Sequence, residues 1–327
     1  MEKTSLFLRK ILMRDDLQEL IIVTNQDTGL SKSVIEKDYF VTKAICTLSS
    51  LHHSHVNIIF TGGTCLAKAY KLTQRMSEDI DFKLQLTPAG ELLSRAQIKK
   101  SIKEVRENML KKLIEADFIH LHSNVRNEGR NVKFDLDYPS FFEKEHILRS
   151  HIQVEFALST LHLPTQSQIV TSIIQDTLKD KVLLENTTLP CIAIEETLAE
   201  KWVALTRRVS ATERGYLKSE NTLIRHLYDI TSIIKSNKIT DDFHNIVKLT
   251  IEKDSLQFKT QHPEYHAEPM KEIERSLSLL EIDKTWEKSY QDFLNDMLFD
   301  KNSAVPYQDA LKAFQKLTRE IVQYDAV

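Results

Sequence analysis

Glycine and proline are scarce in this chain, with six and seven residues among 327. That excludes long flexible linkers and Gly-rich repeats, and it predicts a chain rich in helix. Cysteine is scarcer still. Cys46, Cys65 and Cys191 are odd in number, far apart and without a CxxC pair, so neither a disulfide framework nor a zinc knuckle is expected. No apolar run approaches the roughly 18 residues that span a bilayer, and residues 1–10 carry an acid without a long apolar core, unlike a secretory signal. A cytoplasmic protein with no membrane partner is therefore expected. Internal repeats are absent, and three neighbouring histidines, His52, His53 and His55, lack a fourth ligand at metal-site spacing and read as a polar loop.

What is present is ordinary in bulk, 41% hydrophobic and 28% charged with a net charge of -3, but uneven along the chain. Residues 95–133 hold ten Lys or Arg against five Asp or Glu, and residues 201–225 hold six against two. Two such basic stretches could follow a phosphate backbone on an otherwise acidic protein, or could simply be solvated helix faces.

The most informative segment runs from Val56 to Phe82. Val56–Phe60 reads as a strand, Gly62-Gly63 as a tight turn, and Thr64 as the N-cap of a short helix reaching about Leu72. Asp79 and Asp81 alternate with Ile80 and Phe82, which sends both carboxylates to one face of a strand and both apolar side chains to the other. Adjacent carboxylates do not readily both stay ionised unless a cation shares them. Mg²⁺ is commonly held by one or two carboxylates together with substrate phosphates, and a glycine turn entering a helix presents backbone N–H groups to phosphate. Nucleotide chemistry follows.

The series Gly62-Gly-Thr-Cys-Leu-Ala-Lys-Ala-Tyr70, a short basic loop and Arg75-Met-Ser-Glu-Asp-Ile-Asp-Phe82 resembles the signature of the AbiEii/AbiGii toxin family, within the DNA polymerase β-like nucleotidyltransferase superfamily. Glu36-Lys-Asp-Tyr39, Glu195–Leu205 and Arg225-His-Leu-Tyr-Asp-Ile230 fit the same family, so that the resemblance covers about residues 31–230. Fifteen residues separate Gly63 from Asp79, a long insertion that also favours this branch of the superfamily. The resemblance implies an α+β fold, a polymerase β-like core of mixed sheet and helices over residues 1–190 followed by a helical C-terminal domain over 191–327. It further implies Mg²⁺-dependent transfer (with Mn²⁺ as a substitute) of a nucleoside monophosphate from an NTP to an RNA acceptor, above all the tRNA 3′ end. A bacterial toxin of a toxin–antitoxin or phage-defence pair, with a separately encoded antitoxin, completes the expectation. Transfer to a protein hydroxyl or a small molecule is the alternative reaction, and an inactive nucleotide-binding regulator the non-enzymatic one; the intact aspartate pair speaks against the latter.

Site residues follow from both lines. Asp79 and Asp81 are metal ligands, and the third carboxylate is Glu155, in an apolar strand where an unpaired acid is costly, with Asp135 and Asp137 as competitors. Gly62, Gly63 and Thr64 are assigned to triphosphate. Lys68 and Arg75 could each meet a phosphate or the nucleic-acid acceptor, and Ser77, read as sharing the strand face of Asp79, could orient a metal-bound water. On the resemblance, Lys201 contacts nucleotide phosphate and Asp229 is a site residue; without it, a salt bridge from Asp229 to Lys201 or Arg225 would join two helices. Ser33 and Glu36 form a capping-box pattern, which would put Glu36, Lys37 and Asp38 in a first helical turn, as braces or substrate contacts. Further strands are expected at 131–138 and 152–157, and helices at 97–116, 195–209, 221–236, 241–253, 270–281, 285–298 and 307–323. Residues 1–53 read as helical with a break near Asn25–Gly29.

Overall fold

A computed structural model describes residues 16–145, 148–179, 184–218, 222–239 and 243–325. The expected helix within residues 1–15 and the expected helix starts at 221 and 241 lie outside the described residues. The chain divides into two compact units, one of Met1–Tyr70, Ser77–Thr160 and Thr165–Cys191, the other of Lys71–Met76, Leu161–Pro164 and Ile192–Val327. No helix among the described residues is long and apolar enough to cross a membrane.

The first unit is built on a seven-stranded mixed sheet in the order β3-β4-β5-β2-β1-β7-β6. Its strands are β1 (Val56–Thr61), β2 (Asp79–Leu86), β3 (Ile119–Arg126), β4 (Asn131–Asp137), β5 (Ile152–Leu158), β6 (Gln166–Val170) and β7 (Thr187–Cys191). β2 runs antiparallel to β1 and parallel to β5, which in turn is antiparallel to β4. Strict alternation sorts the two faces. Phe60, Phe82, Phe134 and Phe156 are buried on one, with ring centroids 5.6 Å apart for Phe60–Phe82 and 5.4 Å for Phe134–Phe156. Helices α1 (Lys32–Ser49), α2 (Gly62–Lys68), α3 (Arg95–Glu115) and α4 (Ile173–Thr177) belong to the same unit. Ile35, Phe40, Ile45 and Leu48 of α1 and Ile102, Val105, Met109 and Leu113 of α3 recur at three-to-four spacing and are buried.

The structure corrects three sequence expectations. α1 is capped by Ser31, whose side chain accepts from Val34 N, so that Glu36, Lys37 and Asp38 fall in the second turn and Glu36 is committed elsewhere. α2 begins at Gly62 with Thr61 as N-cap and ends at Lys68, which places Thr64 inside the helix. Strands β3, β6 and β7 are additional to those expected from the sequence.

In the second unit, α5 (Ile194–Glu213) packs against α6 (Arg225–Lys235), α7 (Phe243–Gln257) and α8 (Pro269–Ile282); α9 (Lys284–Met297) and α10 (Tyr307–Asp325) complete the six long helices among the described residues. Trp202 is fully buried, and its indole Nε1–H donates to Thr318 Oγ1 at 2.9 Å. The basic stretch at 201–225 is largely consumed inside this unit. Arg207 pairs with Asp254 at 2.7 Å and stacks over Phe258, and Arg214 pairs with Glu272 at 2.6 Å. Counting charge along the sequence misses these acids because they come from other helices, so this stretch does not form the exposed cationic track its composition suggests.

Candidate functional site

The polar face of the sheet carries two rows of side chains. In one, Thr61, Asp81, Glu155 and Lys133 stand in register across β1, β2, β5 and β4; in the next, Asp79, Gln153 and Asp135 do the same. Neighbouring strands lie about 4.8 Å apart and alternate residues about 6.7 Å apart along one strand, so Asp79, Asp81 and Glu155 share one small patch. Register sets Glu155 directly beside Asp81 on the neighbouring strand. Asp135 is two strands from Asp79, near His151 at 3.6 Å and accepting from Gln153 at 3.2 Å, and Asp137 is bound to Lys144 at 2.9 Å.

Gly62 sets the position of Asp81. Its φ is +81°, a left-handed conformation that favours glycine. A Cβ placed there would also stand 2.1 Å from Asp81 Oδ2, so the carboxylate occupies the volume that any side chain at 62 would need. The glycine turn and the acidic strand are thus one steric unit.

Thr64 and Ser77 take other roles than those the sequence suggests. The Thr64 hydroxyl, fully buried, donates to the Asp79 carbonyl and lies 2.8 Å from Ser77 Oγ, tying α2 to the start of β2. Ser77 precedes the strand instead of sharing its face. Lys68 is buried, with its ammonium turned to the Asp38 carboxylate and to Thr42 Oγ1 at 2.7 Å; it braces α2 against α1.

That contact belongs to a larger arrangement. Glu36, Lys37 and Asp38 are consecutive and buried, and each grips a different segment. Glu36 accepts from Ser140 Oγ and Phe141 N, both at 2.6 Å. Lys37 donates to the Glu78 carboxylate and to the Arg149 carbonyl. Asp38 accepts from Lys68 and from Ile173 N at 2.7 Å. Burial lowers the Lys37 ammonium from its ordinary range, and the Glu78 carboxylate opposes that shift.

Arg149 is not visible in the sequence as a site residue. Its guanidinium donates to Asp79 Oδ1 and to Gln153 Oε1, and its backbone N–H donates to Glu78 at 2.8 Å. It lies in the connection between β4 and β5, 70 positions from Asp79, and no motif marks it. Glu155 is likewise held by Lys133 at 3.7 Å. With those counter-ions in place, no three His, Cys, Asp or Glu side chains among the described residues are grouped as metal ligands. The donor set itself, carboxylate oxygens in adjacent register positions beside a glycine cradle, fits a hard divalent cation.

Lys201 and Asp229 belong to the second unit. Asp229, with no exposed surface, pairs with Lys201 at 2.8 Å and with Arg75 through two bonds of 2.7 Å each. Burial alone would raise the Asp229 carboxyl, but the Arg75 guanidinium and the Lys201 ammonium together hold it well below the usual carboxylate range. The salt bridge to Lys201 is the one the helix reading allows for. The role of Arg75 as a partner, in place of a phosphate contact, comes from packing alone.

The family described as nucleotidyl transferase AbiEii toxin, type IV TA system, matches residues 46–317. No curated protein matches the sequence. Among solved structures, MenT4, a nucleotidyltransferase toxin from Mycobacterium tuberculosis H37Rv, is similar at 21% identity and a TM-score of 0.48, over 73% of this chain and 72% of that one. Matched over most of its length, the chain belongs to the AbiEii family of nucleotidyltransferase toxins of type IV toxin–antitoxin systems.

Proposed function

We propose that this toxin transfers a nucleoside monophosphate from an NTP to an RNA hydroxyl, the tRNA 3′ end being the favoured acceptor, with Mg²⁺ as the working ion. The observation that supports this most is the row in which Asp81 stands beside Glu155, with Asp79 one step away and the glycine turn against Asp81. Asp79, Asp81 and Glu155 would hold the cation, and Gly62 and Gly63 would offer backbone N–H groups to the triphosphate. A divalent ion at those carboxylates would supply charge neutralisation for the phosphates and make the acceptor hydroxyl more acidic. The acceptor oxygen attacks the α-phosphorus, the bond to the bridging oxygen breaks, and pyrophosphate leaves. The protein contributes mainly position and a fixed field. Lys201 is assigned to nucleotide phosphate on the family resemblance. Family membership implies an antitoxin partner, encoded separately.

Incubating the protein with each labelled NTP, Mg²⁺ and total RNA tests the reading. Label in a tRNA-sized species that disappears with RNase is the expected result. Label on a protein band that survives RNase would move the acceptor to a protein hydroxyl.

Arg149 supplies an independent check on the metal site. Because its guanidinium neutralises Asp79, Arg149→Gln should tighten Mn²⁺ binding by roughly threefold to tenfold, the effect expected from removing one competing charge worth about 1 kcal/mol at a half-exposed position. Titration of free Mn²⁺ by electron paramagnetic resonance reads this without turnover. Unchanged or weaker binding would show that the cation does not compete with Arg149 for Asp79.

A further inference from the structure

A cavity of about 360 Å³ lies between α3 and the β3–β4 hairpin. From the helix it is lined by Arg95, Ile98, Lys99 and Ile102, and from the hairpin by Asn127, Glu128 and Arg130. The four helix positions follow i, i+3, i+4, i+7 and so lie along one side of the helix, at the edge of its buried stripe of Ile102, Val105, Met109 and Leu113. Two of the four are cations. Arg106 continues that side, with Nη1 3.9 Å from where a Cβ on Gly129 would sit.

Three of the other four lysines of α3 are differently placed. Lys100, Lys103 and Lys111 stand four residues before Glu104, Glu107 and Glu115, at 3.8, 3.7 and 3.9 Å, and so balance their own charge on exposed surface. Among the described residues no acid pairs with Arg95 or Arg130, and the groove's own acid, Glu128, reaches Lys99 only at 4.0 Å. The hairpin tip is also unusual. Asn127, Glu128 and Gly129 all have positive φ (50°, 56° and 89°), a conformation that crowds the Cβ of Glu128. Backbone of this kind persists where the surrounding structure requires it, and it clusters at binding sites.

An apolar floor of two isoleucines under a rim of cations suits a sugar–phosphate unit, with its carbon face down and its phosphate on the rim. The cations from Arg95 to Arg106 extend along about 16 Å of helix, longer than one nucleotide. The hairpin end of the sheet, at the Asn131–Ala157–Lys83 row, is four residues along the strands from the Asp135–Gln153–Asp79 row, about 13 Å. A free NTP at the acids would not fill this groove, whereas a polynucleotide could.

We propose that the α3–hairpin groove binds the phosphodiester backbone of the RNA acceptor, through Arg95, Lys99 and Arg130; this rests on the RNA-acceptor reading above. Binding of total bacterial tRNA to the full-length protein, followed by fluorescence anisotropy across a salt series, tests it. Arg95→Glu with Arg130→Glu should weaken binding by at least about tenfold and lower the slope of log Kd against log salt by about 1.5, the value for two lost phosphate contacts. NTP binding should stay as in the wild type. Glu128→Asn, which suits a left-handed backbone and removes the groove's acid, should tighten tRNA binding by about threefold, a gain that misfolding does not produce. If both variants match the wild type in affinity and slope while the wild type still labels RNA, the groove assignment is wrong and the acceptor reading stands. If the wild type neither binds nor labels tRNA, the acceptor reading fails and the groove's role falls with it.

Discussion

Replacing Asp79 and Asp81 together by asparagine should reduce nucleotide transfer to background while leaving the protein folded. An amide keeps the shape of each side chain but cannot neutralise a divalent cation. Stability should change little, because the Asp79–Arg149 pair is more than one-third exposed on both sides, and ion pairs of that kind contribute about 0–1 kcal/mol. Circular dichroism and a melting curve on the same preparation establish the fold; wild-type transfer by the double variant would remove these residues from catalysis. Gly62→Ala makes the contrast. It forces a methyl group against Asp81 Oδ2 and a side chain into φ +81°, so it should cost transfer and about 1 kcal/mol or more of stability together.

Asp229→Ala should destabilise the protein more than any of these changes, by about 3–5 kcal/mol, since it strands two cations that Asp229 now neutralises in a fully buried position. Lys201→Ala, by contrast, leaves Asp229 paired with Arg75 and should cost far less stability, while lowering nucleotide affinity or turnover roughly tenfold, about 1.4 kcal/mol, if the lysine meets phosphate. A large melting shift with undiminished activity would mark Lys201 as structural only. The acid limb has a definite sign. Because the folded Asp229 carboxyl lies below its unfolded value, its stabilisation is complete above about pH 4 and fades as pH falls further. The stability gap between wild type and Asp229→Asn should therefore be flat from about pH 5 to 8 and narrow below about pH 4. Chemical denaturation across that range measures it, and a gap that persists unchanged to pH 2 would contradict the assignment.

The sequence makes some of this legible and hides the rest for identifiable reasons. Asp79 and Asp81 alternate with buried Ile80 and Phe82, and that local pattern suffices to orient them. All six long helices of the second unit repeat their apolar residues every three to four positions, which is why each is expected close to where it lies. β3 does carry the alternation of a strand, Ile119, Leu121 and Val125 against His120, His122 and Arg126, although its apolar residues are exposed at a sheet edge and build no core face, whereas β7 is obscured because Pro190 interrupts it. Long-range charge pairing is the other blind spot. Nothing local says that Arg149 will find Asp79, that Arg75 will find Asp229, or that Arg207 and Arg214 will be absorbed by Asp254 and Glu272.

The three consecutive charges of α1 carry a consequence for how this protein can change over generations. Each residue advances about 100° around a helix, so Glu36, Lys37 and Asp38 point in three directions and hold the β4–β5 connection, the residue before Asp79, and α2. Substitution at any one of them damages one grip. Inserting or deleting a single codon between Asp38 and Phe40 would turn all three by about 100° against the buried face of Phe40, Ile45 and Leu48, so lineages should almost never alter the length of α1 at that point.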